Sequence, residues 1–187
     1  MPKLSSPGRG IQSQNSPATA QYWSSIPKNR KKMKLDSIDR KLLELLQADA
    51  ETQVADLAAQ VGLSATPCWR RIQRLKEAGV IKRQVALVDR DKVNVGVTVF
   101  VAVRTSTHSQ EWFERFRAAV AAIAEVVEFY RMSGEVDYLL RVVVPDIAAY
   151  DKVYKRLIAD TQLLDVSSSF AMEELKFTTA LPLSYIP

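Results

Sequence analysis

The segment from Val54 to Gly79, VADLAAQVGLSATPCWRRIQRLKEAG, most strongly limits the fold of this chain. Its apolar residues recur at helical spacing on both sides of Gly62, which predicts two short helices joined by a tight turn. Gly62 can adopt the positive φ angle that such a turn needs, and Leu63 fills the corner. Ser64 is a good N-cap for the second helix, which Gly79 ends. The predicted buried seam of that helix consists of Cys68, Ile72 and Leu75.

The opposite face of this second helix is cationic. At 100° per residue, Thr66, Arg70 and Arg74 lie opposite the seam, with Gln73 close by. Such a face on an isolated helix is usually only solvated, but a small-residue helix, a glycine turn and an apolar corner residue before it are typical of a helix-turn-helix. The sequence therefore predicts a recognition helix for the major groove of DNA. The predicted DNA-contacting residues are Ser64, Ala65, Thr66, Arg70, Arg71, Gln73, Arg74 and Lys82.

Helices and a hairpin are predicted around this motif. An apolar stripe at helical spacing predicts an earlier helix over Asp36–Ala48, and Asp36 can cap its N-terminus. After the recognition helix, the β-rich run Ile81–Val88 and the turn residues that follow it predict a short hairpin. That hairpin would be a wing or a linker strand, with Lys82 near the DNA backbone. The predicted winged helix-turn-helix domain and its linker strand cover residues 35–96.

The basic residues of the chain are concentrated at its N-terminus. Residues 1–34 hold seven of the 26 Lys and Arg and no Asp or Glu, so the other 19 basic residues are outnumbered by 21 acidic ones. Ser, Pro, Gln and Asn dominate this stretch, which predicts a disordered tail. The basic cluster Lys28–Lys34 is either an arm that follows DNA phosphates or a segment upstream of a true start at Met33.

From Val97 onward the pattern alternates between strands and helices. The order is β-α-β-β-α-β, which predicts an α+β domain of ferredoxin-like fold over residues 97–187. Ile147 on the second helix and Met172 on the last strand are predicted to face inward. The strands are too apolar for a sheet with one face in water, so a partner subunit is expected on the face away from the helices. The predicted elements are Val97–Arg104, Gln110–Ile123, Val126–Met132, Val136–Val144, Asp146–Ile158 and Val166–Leu175.

Composition argues against several other classes of protein. One Cys and one His argue against a structural zinc site, and a lone Cys excludes an intramolecular disulfide. No apolar run can span a membrane and no secretory signal is present, so a cytoplasmic protein without cofactor or metal is predicted. Cys68 is interpreted as a small core residue rather than a redox sensor, and Trp69 as a packing residue rather than a DNA contact. His108, alone in a Ser/Thr-rich loop, is a weak catalytic candidate, and no catalytic residue is predicted.

The turn around Gly134 is a candidate ligand site. Gly134 can be an ordinary hairpin glycine. It can also expose turn amides beside Asp137 and Tyr138, whose carboxylate and phenol suit the ammonium and carboxylate groups of an amino acid. The spacing of these residues leaves both interpretations open.

Four segments of the chain resemble a known family, the leucine-responsive regulatory protein/AsnC family of bacterial and archaeal regulators. The recognition helix matches at Ser64 through Leu75, although Ala65 stands where the family commonly has Pro. Pro67 is retained, so the start of the helix should be preserved. The matching segments are LDSIDRKLLELLQADA (35–50), VADLAAQVGLSATPCWRRIQRLKEAGVI (54–81), SGEVDYLLRV (133–142) and MEELKFTTALPL (172–183).

The resemblance implies properties that residue patterns do not give. Members of this family have a winged helix-turn-helix followed by a ferredoxin-like domain, and they form dimers through their sheets that often assemble into tetramers or octamers. They bind amino acids or related metabolites between subunits. The effector loop of the family matches here at Gly134, Asp137 and Tyr138, with Glu135 and Val136 between them.

The predicted function is therefore a sequence-specific transcriptional regulator, cytoplasmic and associated with the nucleoid, that responds to an amino acid or related metabolite. Its predicted partners are double-stranded DNA and further copies of the chain. One alternative is an architectural, nucleoid-type DNA-binding protein without an effector. A further alternative is a haem-pathway decarboxylase, because some of these enzymes resemble the family in both domains.

Overall fold

Three helices at the N-terminal side pack around a small apolar core. The structure is a computed structural model that describes residues 33–159 and 163–186, so the predicted tail lies, except for Met33 and Lys34, outside the described residues. The helices are α1 (Ser37–Ala48), α2 (Val54–Gln60) and α3 (Ala65–Glu77). They match the helices expected from periodicity. Their shared core contains Leu42, Leu57, Ala58, Cys68 and Ile72.

Local sequence explains where these helices begin and turn. The Asp36 carboxylate accepts a hydrogen bond from the backbone N–H of Asp39 at 2.8 Å, and the Asp39 carboxylate accepts one from the N–H of Asp36 at 3.3 Å, which forms a reciprocal cap on α1. Gly62 has a φ of +68°, and this left-handed conformation lets the chain turn sharply between α2 and α3. Ser64 occupies the N-cap position of α3, but its side chain makes no capping hydrogen bond.

The segment that follows α3 is a linker (residues 81–96) and not a wing. No residue from 81 to 89 lies in a helix or strand, and Val85 and Leu87 are 60% and 66% exposed. A strand needs a neighbouring strand for its backbone hydrogen bonds, and the described part of the chain supplies none at this place. The prediction of a hairpin over Ile81–Val88 is therefore wrong, although Lys82 is exposed as expected.

The second half of the described chain forms a four-stranded antiparallel sheet with two helices. The sheet order is β2-β3-β1-β4, and β1 pairs with both β3 and β4. This order and the β-α-β-β-α-β sequence of elements confirm the predicted ferredoxin-like arrangement. The elements are β1 (Val97–Arg104), α4 (Gln110–Ala121), β2 (Val126–Arg131), β3 (Tyr138–Val144), α5 (Ile147–Ile158) and β4 (Asp165–Phe170).

One face of the sheet and the two helices form the larger core. Side chains alternate strictly along β3, where every second residue from Tyr138 to Val144 is buried. The helices contribute their apolar stripes, with Phe116 of α4 and Leu157 of α5 at 0% and 1% exposure. The strand residues of this core are Val99, Val101, Val103, Tyr138, Leu140, Val142 and Val144.

The structure corrects two inward positions and one strand end. Ile147 is 70% exposed because it is the first residue of α5, before the helix turns its apolar face to the sheet. The predicted strand to Leu175 ends at Phe170, and Met172 is 96% exposed. Phe170 pairs with Val99, close to the start of β1, so residues beyond it have no strand to pair with.

The opposite surface of the sheet, which we name the outer sheet face, is partly exposed and carries several large apolar side chains. Along β1, the residues between the buried positions turn outward, and Phe100 is 40% exposed. On β2, Val127 and Tyr130 are 47% and 50% exposed. The face is defined by Phe100, Val127, Tyr130, Leu139 and Val143.

The C-terminal segment returns to the helical part of the chain. A short 3-10 turn at Leu183–Tyr185 packs against α1. The Gln47 side chain accepts a hydrogen bond from Leu181 N at 2.7 Å and donates one to Leu181 O at 3.2 Å. Arg40 Nη2 donates to the carbonyl oxygen of Ile186 at 2.8 Å. These contacts connect the end of the chain directly to the helix-turn-helix.

Candidate DNA interface and effector loop

The solvent-facing surface of α3 brings together most of the predicted DNA-contacting residues. Ser64, Ala65, Thr66 and Arg70 are exposed, and Gln73 is half-buried at the same surface. Within the part of the chain that the structure describes, the side chain of Arg70 makes no hydrogen bond or ion pair. The surface therefore offers one uncommitted guanidinium group, flanked by short polar side chains, to a ligand outside the chain.

Two other arginines of α3 are held against α1. Arg71 Nη1 lies 2.6 Å from Asp36 Oδ2 and 2.9 Å from Asp39 Oδ1, and Arg74 Nη2 lies 2.6 Å from Asp39 Oδ2. The expectation that the whole row of arginines projects freely from the domain is wrong for Arg71 and Arg74. Helical periodicity places them on the surface of α3, but it does not show that acidic residues of α1 lie beside that surface.

The ion pairs shift the pKa of two groups, Asp36 and Arg71. Hydrogen bonds from the Asp39 backbone N–H and the Arg71 guanidinium hold the pKa of the Asp36 carboxyl below its ordinary value. Hydrogen bonds to Asp36 and Asp39 raise the pKa of Arg71. Both shifts favour the charged forms of Asp36 and Arg71.

Trp69 corrects another expectation. Its side chain is 50% exposed and does not belong to the core of the three helices, where we expected it to pack. On the helical wheel it lies 100° from Arg70 and well away from Arg71, on the flank that does not meet α1. Trp69 lies 100° around the helix from Cys68 of the buried seam. This angle, which follows from the sequence, already indicated that the side chain would be exposed.

The candidate effector loop connects β2 and β3. Gly134 has a φ of +116°, which favours glycine, and both Gly134 and Glu135 are exposed. Asp137 faces the protein interior: its carboxylate accepts a hydrogen bond from Thr105 N at 2.8 Å, and its own N–H donates to Val103 O at 3.0 Å. This carboxylate therefore fixes the loop to the end of β1.

Tyr138 belongs to the core. It is 3% exposed, and its ring lies 5.4 to 6.0 Å from those of Trp112, Phe113, Phe116 and Phe129. Burial raises the pKa of its phenol. The expectation that this phenol faces a ligand at the loop surface is therefore wrong in this structure. Tyr138 alternates with Leu140, Val142 and Val144, so strand periodicity already indicated an inward position.

Comparison with known proteins identifies the two halves of the chain. Residues 35–76 match the AsnC-type helix-turn-helix domain, and residues 98–181 match the Lrp/AsnC ligand binding domain. The glutamate uptake regulatory protein of Zymomonas mobilis is 50% identical over 150 residues, which cover 80% of this chain and 92% of that protein. The chain belongs to the Lrp/AsnC family of transcriptional regulators.

Two solved structures support the assignment of this chain to the Lrp/AsnC family. An AsnC family transcriptional regulator from Agrobacterium tumefaciens is 63% identical with a TM-score of 0.79, and the match covers 82% of this chain and all of that one. A transcriptional regulator from Neisseria meningitidis in complex with L-Met is 32% identical with a TM-score of 0.77, and the match covers 82% of this chain and 99% of that one. These relatives are named as regulators, which favours a regulator over the decarboxylase alternative.

Other candidate residues of this Lrp/AsnC regulator have ordinary positions. Cys68 is fully buried in the helical core, and burial raises the pKa of its thiol, which suits a packing role. His108 lies exposed in the loop between β1 and α4. Among the described residues, no three His, Cys, Asp or Glu are grouped as metal ligands. No helix in those same residues is long and apolar enough to cross a membrane.

A surface cavity of about 420 Å³ lies between the linker, the outer sheet face and the C-terminal segment. Its arginines are already paired, because Arg90 lies 3.2 Å from Glu174 and Arg141 lies 2.5 Å from Glu128. The Arg141 guanidinium holds the pKa of the Glu128 carboxyl below its ordinary value. The cavity thus offers apolar walls, but its guanidinium groups are committed to other residues.

Proposed function

We propose that this Lrp/AsnC regulator binds specific duplex DNA sequences by inserting α3 into the major groove. The observation that carries the proposal is the exposed face of α3, where the uncommitted Arg70 lies among short polar side chains. Arg70 can donate to a guanine edge or a phosphate, and Gln73 suits an adenine edge. Ala65 and Thr66 can contact a thymine methyl group. The phosphate backbone is the proposed partner of Ser64 and Lys82.

Two copies of the chain would present two such helices. The outer sheet face exposes three large apolar side chains, Phe100, Val127 and Tyr130, and a second copy placed there would bury them. A two-fold dimer positions its recognition helices about one DNA turn, ~34 Å, apart, which favours a palindromic site. Assembly of such dimers into tetramers or octamers would extend the contact with DNA.

An amino acid or related metabolite is the proposed effector. The name of the Zymomonas relative refers to glutamate, and the Neisseria regulator was solved with L-Met, so both point to amino-acid chemistry. On this chain the proposed site is the exposed turn at Gly134 and Glu135, with Val136 beside it and Asp137 holding its base. The size of any regulatory effect is the difference between the free energies with which the effector binds two states of the protein. This difference is typically about 1–3 kcal/mol.

Selection from a random duplex pool, followed by a binding titration of the most enriched duplex, tests the DNA proposal. The full chain should enrich a sequence, and Arg70→Gln should lower affinity for it by about tenfold or more. Arg115→Gln is a control with the same loss of charge, because Arg115 is exposed on α4 and belongs neither to α3 nor to the outer sheet face. Failure to enrich any sequence, or equal affinity for Arg70→Gln and the unmodified chain, would contradict specific binding through α3.

A thermal unfolding screen with the standard amino acids and their keto acids tests the effector proposal. A ligand at 100 times its Kd should stabilise the folded chain by about 2.7 kcal/mol and raise its Tm. Glu135→Gln should reduce the shift if Glu135 binds the ammonium group, while Glu111→Gln on α4 serves as its control. A shift that is the same in both variants would place the effector elsewhere.

An architectural, nucleoid-type protein is the second candidate. The observation in its favour is the concentration of seven basic residues without an acidic one in residues 1–34. This candidate predicts similar affinity for enriched and scrambled duplexes and no response to any amino acid. Removal of residues 1–32 would then reduce the salt dependence of binding.

A further inference from the structure

The junction of α1 and α3 contains a buried carboxylate that no part of the proposed function explains. Asp39 has a fully buried side chain, and each of its oxygens meets one arginine of α3: Oδ1 meets Arg71 at 2.9 Å and Oδ2 meets Arg74 at 2.6 Å. The same carboxylate also closes the cap of α1 by accepting the N–H of Asp36. Asp39 therefore links the start of α1 to two consecutive turns of α3.

Burial gives these contacts their strength. A carboxylate without water needs cations and hydrogen-bond donors, and leaving one buried without a partner costs several kcal/mol. If Arg71 and Arg74 both moved to DNA phosphates, Asp39 would remain buried with its charge uncompensated. Arg71 is bound twice, since Asp36 holds the same Nη1 atom at 2.6 Å. The free-energy cost of leaving Asp39 unpaired therefore favours a bound state in which Arg71 and Arg74 remain at α1.

We propose that Asp39 determines which arginine of the recognition helix reads DNA: its buried carboxylate retains Arg71 and Arg74 at α1, and Arg70 alone is left to enter the groove. Asp39 is then a positioning residue, because it acts through the two arginines that it holds away from the groove. This proposal rests on the DNA binding proposed above. It goes beyond the sequence analysis, which predicted both Arg70 and Arg74 as DNA contacts without distinguishing their roles.

Helical geometry alone does not distinguish Arg74 from Arg70, but the ion pair with Asp39 does. Arg74 follows Arg70 by four residues, so the two side chains start only about 40° apart on the helix. Without the carboxylate of α1, both would be candidates for the same groove. The ion pair with Asp39 turns Arg74 to one side although its side chain is 48% exposed. Exposure alone would therefore have grouped it with Arg70.

Single substitutions of the two arginines in the full chain test this difference. The probes are the most enriched duplex from the selection and a scrambled duplex of the same length, each titrated over a range of KCl concentrations. Arg70→Gln should lower affinity about tenfold or more, and it should reduce the slope of log K against log salt by about 1 per protomer if Arg70 meets a phosphate. Arg74→Gln should change affinity by less than about threefold and leave the slope unchanged, because the side chain does not reach the DNA.

Removal of the negative charge of Asp39 should strengthen non-specific binding, whereas Arg70→Gln should weaken binding. Asp39→Asn keeps a hydrogen-bonding side chain but removes the charge, so Arg74 becomes available to phosphates, whereas Arg71 keeps its ion pair with Asp36. We expect tighter binding of the scrambled duplex, a salt slope steeper by about 1 per protomer and a smaller ratio of specific to non-specific affinity. Asp36→Asn is the matched control, because Asn also caps helices and both arginines keep Asp39. The triple variant Asp39→Asn, Arg71→Gln, Arg74→Gln should restore the original slope.

The outcomes separate this inference from the function on which it rests. If the unmodified chain binds neither duplex, DNA binding fails and the inference fails with it. If it binds and Arg74→Gln loses as much affinity and slope as Arg70→Gln, only the inference is overturned. Asp39→Asn binding with an unchanged slope would also overturn it. Should Asp39→Asn fail to fold, as judged by circular dichroism, the comparison of Arg70→Gln with Arg74→Gln decides.

Discussion

In the helix-turn-helix module (residues 34–77) the exposed surface of α3 is polar and cationic, whereas in the sheet module (residues 97–170) the outer sheet face exposes large apolar side chains. Within the helical module, the carboxylates of Asp36 and Asp39 pair with the guanidinium groups of Arg71 and Arg74. The sheet module buries its polar pair Glu128–Arg141 only partly and leaves Phe100 and Tyr130 in solvent. The first surface suits a polyanion, and the second suits another apolar surface.

The two modules therefore depend on partners for different reasons. The helical module has a core and paired internal charges, so it does not need DNA for stability. The sheet module exposes apolar area that a second copy would remove from water at about 25 cal/mol per Å². Substitutions in the outer sheet face should therefore affect assembly, while substitutions at the α1–α3 junction should affect folding of the helical module.

The largest effect is expected from Phe100→Glu, which places a charge in the centre of the outer sheet face. A two-fold interface carries the change twice, so loss of two buried aromatic side chains and the burial of two charges should weaken dimerisation by about 100-fold or more. Sedimentation velocity at increasing protein concentration measures this change. Ile147→Glu adds the same charge at an exposed apolar residue on α5 and should leave assembly unaltered. A chain that is monomeric before substitution would refute the proposed interface.

The second effect concerns the buried carboxylate of the helical module. Arg71→Gln combined with Arg74→Gln leaves Asp39 buried without a cation, which should lower the free energy of unfolding by about 3 kcal/mol. Chemical denaturation followed by circular dichroism gives this value. Arg70→Gln, which removes an exposed guanidinium from the same helix, should change it by no more than about 0.5 kcal/mol. Equal stability of the two variants would show that the ion pairs contribute nothing.

Sequence periodicity predicted the elements of both modules because their cores obey local rules. The seam of Cys68, Ile72 and Leu75 and the alternation along β3 follow from spacings of 3.6 and 2 residues. Local periodicity does not report which elements become neighbours. The pairing of α3 arginines with Asp39 depends on how α1 packs, 32 to 35 residues earlier in the chain. The hairpin predicted over Ile81–Val88 was wrong for a similar reason, since a β-rich segment forms a strand only beside another strand.

In the candidate sites too, local periodicity predicted the direction of side chains better than it predicted their role. Ser64, Thr66 and Arg70 are exposed where helical spacing placed them, and their roles in DNA binding stay predictions. Tyr138 was proposed as a ligand residue from its chemistry beside Gly134 and then from the resemblance, although its alternation with Leu140 indicated a core residue. In this position the local pattern was the better guide to side-chain direction. The resemblance in turn correctly predicted the family, which no spacing could have supplied.

A third and smaller effect is expected at acid pH. The pKa of Asp36 is lower in the folded chain than its ordinary value of 3.8, so this carboxyl contributes stability above that value and loses the contribution as pH falls through the folded pKa. Thermal unfolding between pH 2 and pH 5 should therefore show an acid-induced loss that Asp36→Asn reduces. Glu128→Gln in the sheet module should reduce a separate acid transition, because its pKa is also lowered. A pH profile identical for the unmodified chain and both variants would contradict these shifts.

The smallest effect separates capping from DNA contact at the start of α3. Ser109 caps α4 by accepting a hydrogen bond from Trp112 N at 3.2 Å, whereas Ser64 makes no capping bond. Ser109→Ala should therefore cost about 1 kcal/mol of stability, and Ser64→Ala should cost about half of that or less. If the Ser64 hydroxyl contacts a phosphate as proposed, Ser64→Ala should still weaken binding of the enriched duplex. Thermal unfolding and duplex titration of the two variants measure the loss of stability and the loss of affinity. A stability loss at Ser64 equal to that at Ser109 would mean that the Ser64 hydroxyl caps α3 and is not free to contact DNA.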